Sequence, residues 1–250
     1  MAISKFYDRL FEPLVHKPIK LLEVGIYHGG SMRLWRDYFQ NGQIVGVDLN
    51  IPEDLKNEER IQVFQGSQDD GEFLHQVANQ TAPQGFDIII DDASHLGSLT
   101  KQTFWHLFDQ HLKPGGLYII EDWGTGYWED WPDGKAQQQP SGWSRLLQKL
   151  KGSTPKDPWP THSHGMVGFV KELVDEMGAR ELTRRRHSGT SQRESKFAKV
   201  EVTLGQVIVT KLASGGRHPL SKTSTRMRTA LFPQGADAPR SQKEHPLAFH

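Results

Sequence analysis

The chain has 250 residues, with 30 lysines and arginines against 30 aspartates and glutamates, and so no formal net charge. It contains no cysteine, which excludes disulfides, thiolate metal sites, iron–sulfur clusters and cysteine nucleophiles, and fits a reducing, cytoplasmic compartment. No apolar run approaches the ~18 residues of a membrane span, and neutrality leaves no electrostatic footprint for nucleic acid.

The opening MAISKFYDRLFEPLVHKPIK lacks the apolar core of a signal peptide and reads as a short amphipathic helix within 1–17. A first strand follows over 20–27 (KLLEVGIY), and Gly29-Gly30-Ser31 opens a helix over 32–39. The runs 44–49 (IVGVDL) and 61–65 (IQVFQ) are the next two strands. The stretch 70–80 is helical in pattern, with Phe73, Leu74, Val77 and Ala78 on one stripe. The run 86–92 (FDIIIDD) is a fourth strand, apolar enough for burial on both faces. A helix over 99–112 meets a stop signal at Lys113-Pro114-Gly115-Gly116, and 117–122 (LYIIED) is a fifth strand. Strands alternating with helices at this spacing predict an α/β fold with a doubly wound, Rossmann-like, mostly parallel sheet over 18–212.

The pattern then changes. The stretch 123–162 holds five of the seven tryptophans, several prolines and the run QQQP, and only 143–150 looks helical, so it reads as a substrate lid or insert. A helix is predicted over 165–177, with Val167, Val170, Leu173 and Val174 in line. The segments 197–204 and 206–211, joined at Gly205, predict a closing antiparallel hairpin. From Ala213 the chain has six basic residues against two acidic ones and no periodicity, which predicts a disordered basic tail over 213–250. The first 212 residues are accordingly mildly acidic, with 24 basic against 28 acidic side chains.

Ligands of open α/β sheets sit at the carboxyl ends of the strands, where the strand order reverses. The first strand ends there in Glu23-Val-Gly25-Ile-Tyr27-His28-Gly29-Gly30-Ser31. Its glycines admit close approach to the backbone, and the helix that follows presents free N–H groups. Tyr27 stands where a dinucleotide fingerprint has its second glycine, so a cofactor without a pyrophosphate suits the turn better. Asp48 closes the second strand and is placed to accept hydrogen bonds from ribose hydroxyls; a plain cap is the bland alternative.

The densest chemistry lies at the ends of the fourth and fifth strands, in Asp91-Asp92-Ala-Ser94-His95 and Glu121-Asp122. Carboxylates gathered there repel one another unless a cation or protons neutralise them, and oxygen ligands suit a hard ion such as Mg²⁺. His95 can stand beside such an ion as a general base. Aromatic residues follow at once in Trp123-Gly-Thr-Gly-Tyr127-Trp128-Glu-Asp-Trp131, a surface for a sugar or flat substrate, or else lid packing or an oligomer contact. His162 and His164 flank Ser163 as a metal pair or simply as loop residues, and His28 sits inside the glycine turn.

The segments LEVGIYHGGSMRLWRDYF, IVGVDLN, FDIIIDDASH, LKPGGLYIIEDW and TGYW resemble the class I S-adenosylmethionine (SAM)-dependent methyltransferases. Within these, DDASH and IEDW resemble the metal-dependent sugar O-methyltransferases of macrolide biosynthesis, of the mycinamicin type. The likeness runs over about 18–128. It implies SAM and Mg²⁺ as cofactors and a hydroxyl of a vicinal diol, on a sugar or other small metabolite, as methyl acceptor. It places the cofactor against Glu23, Gly25, Tyr27, Gly29, Ser31, Asp48, Leu49, Gln68, Asp69 and Asp91, with Glu23 to Gly25 along the methionine part and Gln68 or Asp69 near the adenine. Asp92, Glu121 and Asp122 correspond to metal ligands, His95 to the general base, and Tyr127 and Trp128 to substrate contacts. Family members carry N-terminal elements for oligomer formation and substrate binding, and this sequence has little ahead of residue 18. A nucleotide-cofactor oxidoreductase on the same sheet, or a non-catalytic SAM-binding relative, are the competing readings.

Overall fold

The computed structural model describes residues 5–138, 163–184 and 189–213, all within the unit Met1–Ser214. The predicted helix at 143–150, His162, His187 and the basic tail from 214 onward lie outside the described residues.

Seven strands form one sheet: β1 (Lys20–Val24), β2 (Gln43–Asp48), β3 (Ile61–Gln65), β4 (Phe86–Asp91), β5 (Leu112–Glu121), β6 (Phe197–Val202) and β7 (Gln206–Lys211). Their spatial order is β3-β2-β1-β4-β5-β7-β6. The first five are parallel, and β7 runs antiparallel to both β5 and β6, as the closing hairpin predicted. The helices are α1 (Lys5–Phe11), α2 (Gly30–Tyr38), α3 (Gly71–Thr81), α4 (Gly97–Gln110), α5 (Pro132–Gln138), α6 (Gly165–Met177) and α7 (Ala179–Leu182), with a 3₁₀ turn at Trp123–Tyr127. No described helix is long and apolar enough to cross a membrane.

Side chains alternate across a strand, so the continuous apolar runs split into two cores. Leu22, Val24, Ile89, Tyr118 and Ile120 face one layer, where Phe104 and Phe108 of α4 and Phe169 of α6 pack on them. Leu21, Ile88, Ile90 and Ile119 face the other, under Phe11 of α1 and Met32 and Trp35 of α2. The run in β4 is buried on both faces, as its composition predicts.

Two sequence expectations are corrected. The 113–116 Pro-Gly motif does not end α4. That helix stops at Gln110, because His111 gives its carbonyl to Phe86 N (2.7 Å) and Leu112 already pairs with Phe86 in the sheet. The motif instead forms an irregularity inside β5, after which Leu117 pairs with Ile88. In α6 the predicted Val167, Val170 and Leu173 are buried together with Met166 and Phe169, whereas Val174 is 55% exposed. Val167 and Val174 lie seven apart on one side of the helix, and only the first is packed against the turn at Gly126.

After β5 the chain is anchored by one carboxylate. Asp133 Oδ2 accepts from Gly97 N and from Met166 N, both at 2.8 Å, and so caps the starts of α4 and α6 together. The two helix starts touch through glycines, and a Cβ on Gly97 would lie 2.0 Å from the Gly165 carbonyl carbon. Gly97→Ala is therefore expected to lower stability in urea unfolding by about 2–3 kcal/mol. Gly30→Ala, with nothing within 4 Å of the added carbon, is expected to stay within about 0.5 kcal/mol of the parent.

Candidate active site

The strand order reverses between β1 and β4, and a cavity of about 1020 Å³ opens at their carboxyl ends. Asp92 N donates to Val24 O (2.8 Å), drawing the two strand ends together. Gly25 sits at that crossing with φ +89°, where a Cβ would lie 2.3 Å from Asp92 O. No side chain fits there. Asp48 stands at the end of β2 and lines the same cavity. Its Oδ2 accepts from Ile26 N (2.8 Å) and Tyr27 N (3.1 Å), and its Oδ1 from Asn50 N (3.0 Å). A carboxylate offers about four acceptor positions, so it can shape the glycine turn and still receive a ligand hydroxyl.

In the wall of the same cavity Asp92, His95 and Asp122 come together, each offering a ligand atom within 4.8 Å of the others. His95 Nε2 lies 3.8 Å from Asp92 Oδ1. His95 and Asp122 both adopt left-handed backbone angles, φ +52° and +49°. His and Asp tolerate that region better than most residues, at a cost of about 1 kcal/mol each. The main-chain carbonyls of both are held from the segment after β5. Thr125 Oγ1 lies 2.9 Å from Asp122 O and 3.4 Å from His95 O, and Trp131 Nε1 donates to His95 O at 3.2 Å.

Burial governs the electrostatics. Asp92 is pushed up to about 7, first by desolvation and then by the charge of Asp122. Glu121 is raised to about 7 by desolvation, opposed by its Gln206 hydrogen bond. Asp91, bonded by Tyr118 Oη at 3.1 Å, is raised to about 7, and Glu23, beside Ser31 and Trp35, to about 8, both chiefly by desolvation. Desolvation pulls His95 below its ordinary value, against the opposing charge of Asp122, so the imidazole is free to accept a proton near neutrality. Two carboxyl groups beside an imidazole at a cavity wall, with the charge of Asp122 adding to the desolvation that raises Asp92, suit a hard divalent cation, whose charge would offset that cost.

The predicted site residues divide into three groups. Gly25, Tyr27, Asp48, Leu49, Asp92, His95 and Asp122 line the cavity, as does Gln68. The Gln68 amide, however, is committed inward, to Thr103 Oγ1 (3.1 Å) and Ser94 N (3.1 Å). Glu23, Ser31 and Asp91 lie behind the lining, and Gly29 packs against Leu55. Asp69 turns away to bond the Ser67 hydroxyl. Glu121 is not brought into the Asp92–His95–Asp122 group, because its carboxylate bonds Tyr7 Oη of α1 and Gln206 Nε2 of β7. Alternation along β5 is the reason, since Glu121 is still in the strand whereas Asp122 has left it. Tyr127 and Trp128, 49% and 53% exposed, stand outside the lining, where Trp131 is found instead. His28 joins the lining although it is exposed, and His164 lies in no metal-ligating group among the described residues. Trp131, the last residue of the aromatic run read from the sequence, joins the lining, whereas Thr125 inside that run carried no signal of its own.

No protein-family profile matches the chain. Sequence relatives bear out the resemblance to sugar O-methyltransferases. The mycinamicin VI 2''-O-methyltransferase of Micromonospora griseorubida is 37% identical over 176 residues, 67% of this chain and 43% of that protein. The demethylmacrocin O-methyltransferase of Streptomyces fradiae is 39% identical over 179 residues, 67% of this chain and 44% of that protein. Among solved structures, the MycE methyltransferase of the mycinamycin biosynthetic pathway, in complex with Mg and SAH, superposes with a TM-score of 0.64 and 29% identity. That match covers 85% of this chain and 50% of that one. The chain spans under half the length of these curated relatives.

Glu23 yields a test of the buried charge. In the folded chain it keeps its proton up to about pH 8, whereas unfolded it ionises near 4.5. The folded state holds the extra proton between these values, so this group's contribution to stability falls as pH rises through that window. Glu23→Gln is expected to flatten the fall by up to about 1.4 kcal/mol per pH unit in urea unfolding between pH 5 and 8. Equal slopes in both proteins would mean that Glu23 is ionised in the fold.

Proposed function

We propose that this chain, which has the class I methyltransferase fold of its sugar O-methyltransferase relatives, transfers a methyl group from SAM to a hydroxyl of a small-molecule acceptor in an Mg²⁺-dependent reaction. The observation that carries this is one cavity lined both by Asp48 and by the Asp92–His95–Asp122 group. The first suits a ribose and the second an activated hydroxyl. The acceptor we infer is a vicinal diol of a glycosylated natural product, and the cysteine-free chain fits work in the cytoplasm.

In the bound state the glycine turn at Gly25 lies along the methionine part of SAM, and Asp48 receives the ribose hydroxyls. The backbone around Gly66 and Ser67, at the cavity wall, faces the adenine. Asp92 and Asp122 would hold the cation, with Glu121 fixing the strand end from which Asp122 leaves. A bound Mg²⁺ supplies positive charge that favours the ionised form of an acceptor hydroxyl. His95, kept neutral by burial, takes the proton of the attacking hydroxyl. Displacement at a sulfonium methyl, with the bonding pair left on sulfur, needs the acceptor oxygen in line, so positioning by the cavity would supply much of the rate. Trp131 in the wall, with Tyr127 and Trp128 beyond it, offers aromatic faces to the acceptor.

Calorimetric titration with SAM, in Mg²⁺ and again in chelator, tests the cofactor assignment. Micromolar binding is expected, and no binding in either condition overturns it. His95→Ala is expected to abolish turnover while leaving SAM affinity within about threefold, because its role is proton transfer. Asp92→Asn is expected to weaken Mg²⁺ binding, and full activity of the parent in chelator would sink the metal role.

A further inference from the structure

Three residues in the cavity wall, Tyr27, His95 and Asp122, hold a left-handed backbone without being glycine, the last two within the Asp92–His95–Asp122 group. Such conformations persist only where the surroundings over-determine them. The donors on the carbonyls of His95 and Asp122 come from one short segment. Asp122 O accepts from Thr125 N (3.1 Å) and Thr125 Oγ1 (2.9 Å), and His95 O accepts from Trp131 Nε1 (3.2 Å) with Thr125 Oγ1 at 3.4 Å. A hydroxyl has one proton, so the shorter contact takes it most of the time and the indole is the steadier donor to His95. Thr125 is 2% exposed and outside the cavity lining, so it cannot touch an acceptor.

We propose that Thr125 and Trp131 are positioning residues that set His95 at its working distance from Asp122, by tying the main chain of both to the turn that follows β5. The proposal rests on the reading of His95 and Asp122 as working groups of the site. The His95 ring already meets the main chain of Glu121 at the end of β5. His95 and Asp122 both lie beyond their strands in left-handed turns, however, so the main-chain ties to Thr125 and Trp131 are what hold the backbone of each in place. The other contacts of the His95 loop, Ser94 N to Gln68 Oε1 (3.1 Å) and Leu96 N to Ser94 Oγ (3.3 Å), hold its neighbours and leave its own carbonyl to the two donors.

The test uses the full chain and the variants Thr125→Val, Thr125→Ser and Trp131→Phe, with Mn²⁺ affinity, SAH affinity, thermal midpoint and hydrogen exchange of 92–97 as readouts. Thr125→Val keeps the side-chain volume and loses the donor; Thr125→Ser keeps the donor and loses a methyl. Loss of positioning predicts Mn²⁺ binding about fivefold weaker in Thr125→Val and Trp131→Phe, with faster exchange at 92–97. SAH affinity in Thr125→Val stays within about twofold, and Thr125→Ser binds Mn²⁺ like the parent. A mere packing role predicts the reverse order, with Thr125→Ser the worse variant, and that order overturns the proposal. Parent-like Mn²⁺ affinity in Thr125→Val and Trp131→Phe also overturns it. If Thr125→Val fails to fold, Trp131→Phe against the parent decides by the same readouts. If the parent itself binds no Mn²⁺, the metal reading has failed, and exchange alone decides: faster exchange at 92–97 in the donor-less variants sustains the positioning role, and the parent's rate overturns it.

Discussion

The bond from Asp92 N to Val24 O closes the ends of β1 and β4 onto each other at the point where the sheet changes direction. A cavity can open there because the helices after the two strands leave toward opposite faces, α2 to one core and α4 to the other. The closeness excludes a side chain at residue 25, and the absence of one leaves the backbone open to a ligand. The rest of the site is registered from this crossing. Asp48 reaches back to the turn after Gly25, and Asp92 begins the loop that carries His95.

The same crossing gathers acids where water is scarce. Glu23, Asp91, Asp92 and Glu121 are all displaced upward chiefly by desolvation. They are not equivalent. Glu23 and Asp91 are buried behind the cavity lining, while Asp92 and Asp122 line it, the charge of Asp122 adding to the desolvation of Asp92. The second pair can meet an incoming cation directly. An arrangement of this kind trades fold stability for affinity, since the repulsion it stores is released on binding.

Most of the fold could be read in the sequence because its signals are local. Strand-length apolar runs, glycine turns and helical stripes set the α/β alternation, and the closing hairpin announced itself at Gly205. The Pro-Gly motif at 113–116 misled because tertiary pairing of Leu112 with Phe86 overrode a local stop signal. In the site, strand ends and residue types pointed to Asp48, Asp92, His95 and Asp122. They could not separate Asp122 from Glu121, since alternation decides the matter only once the last residue of β5 is known. Thr125 was invisible for a different reason. It acts through main-chain oxygens of residues far away in sequence, and no motif records a carbonyl's partner.

Asp133 carries a consequence for how such a chain can diversify. A single carboxylate oxygen holds the start of α4 on one side and the start of α6 on the other, while its own helix leads into 139–162. Whatever leaves α5 and returns to α6 thus begins and ends at points already pinned against the catalytic half of the sheet. Loop closure over such pinned ends costs only about 0.6 kcal/mol for each doubling of length. A change of length between α5 and α6 is therefore cheap, and Asp133 keeps the starts of α4 and α6 tied to each other whatever joins them.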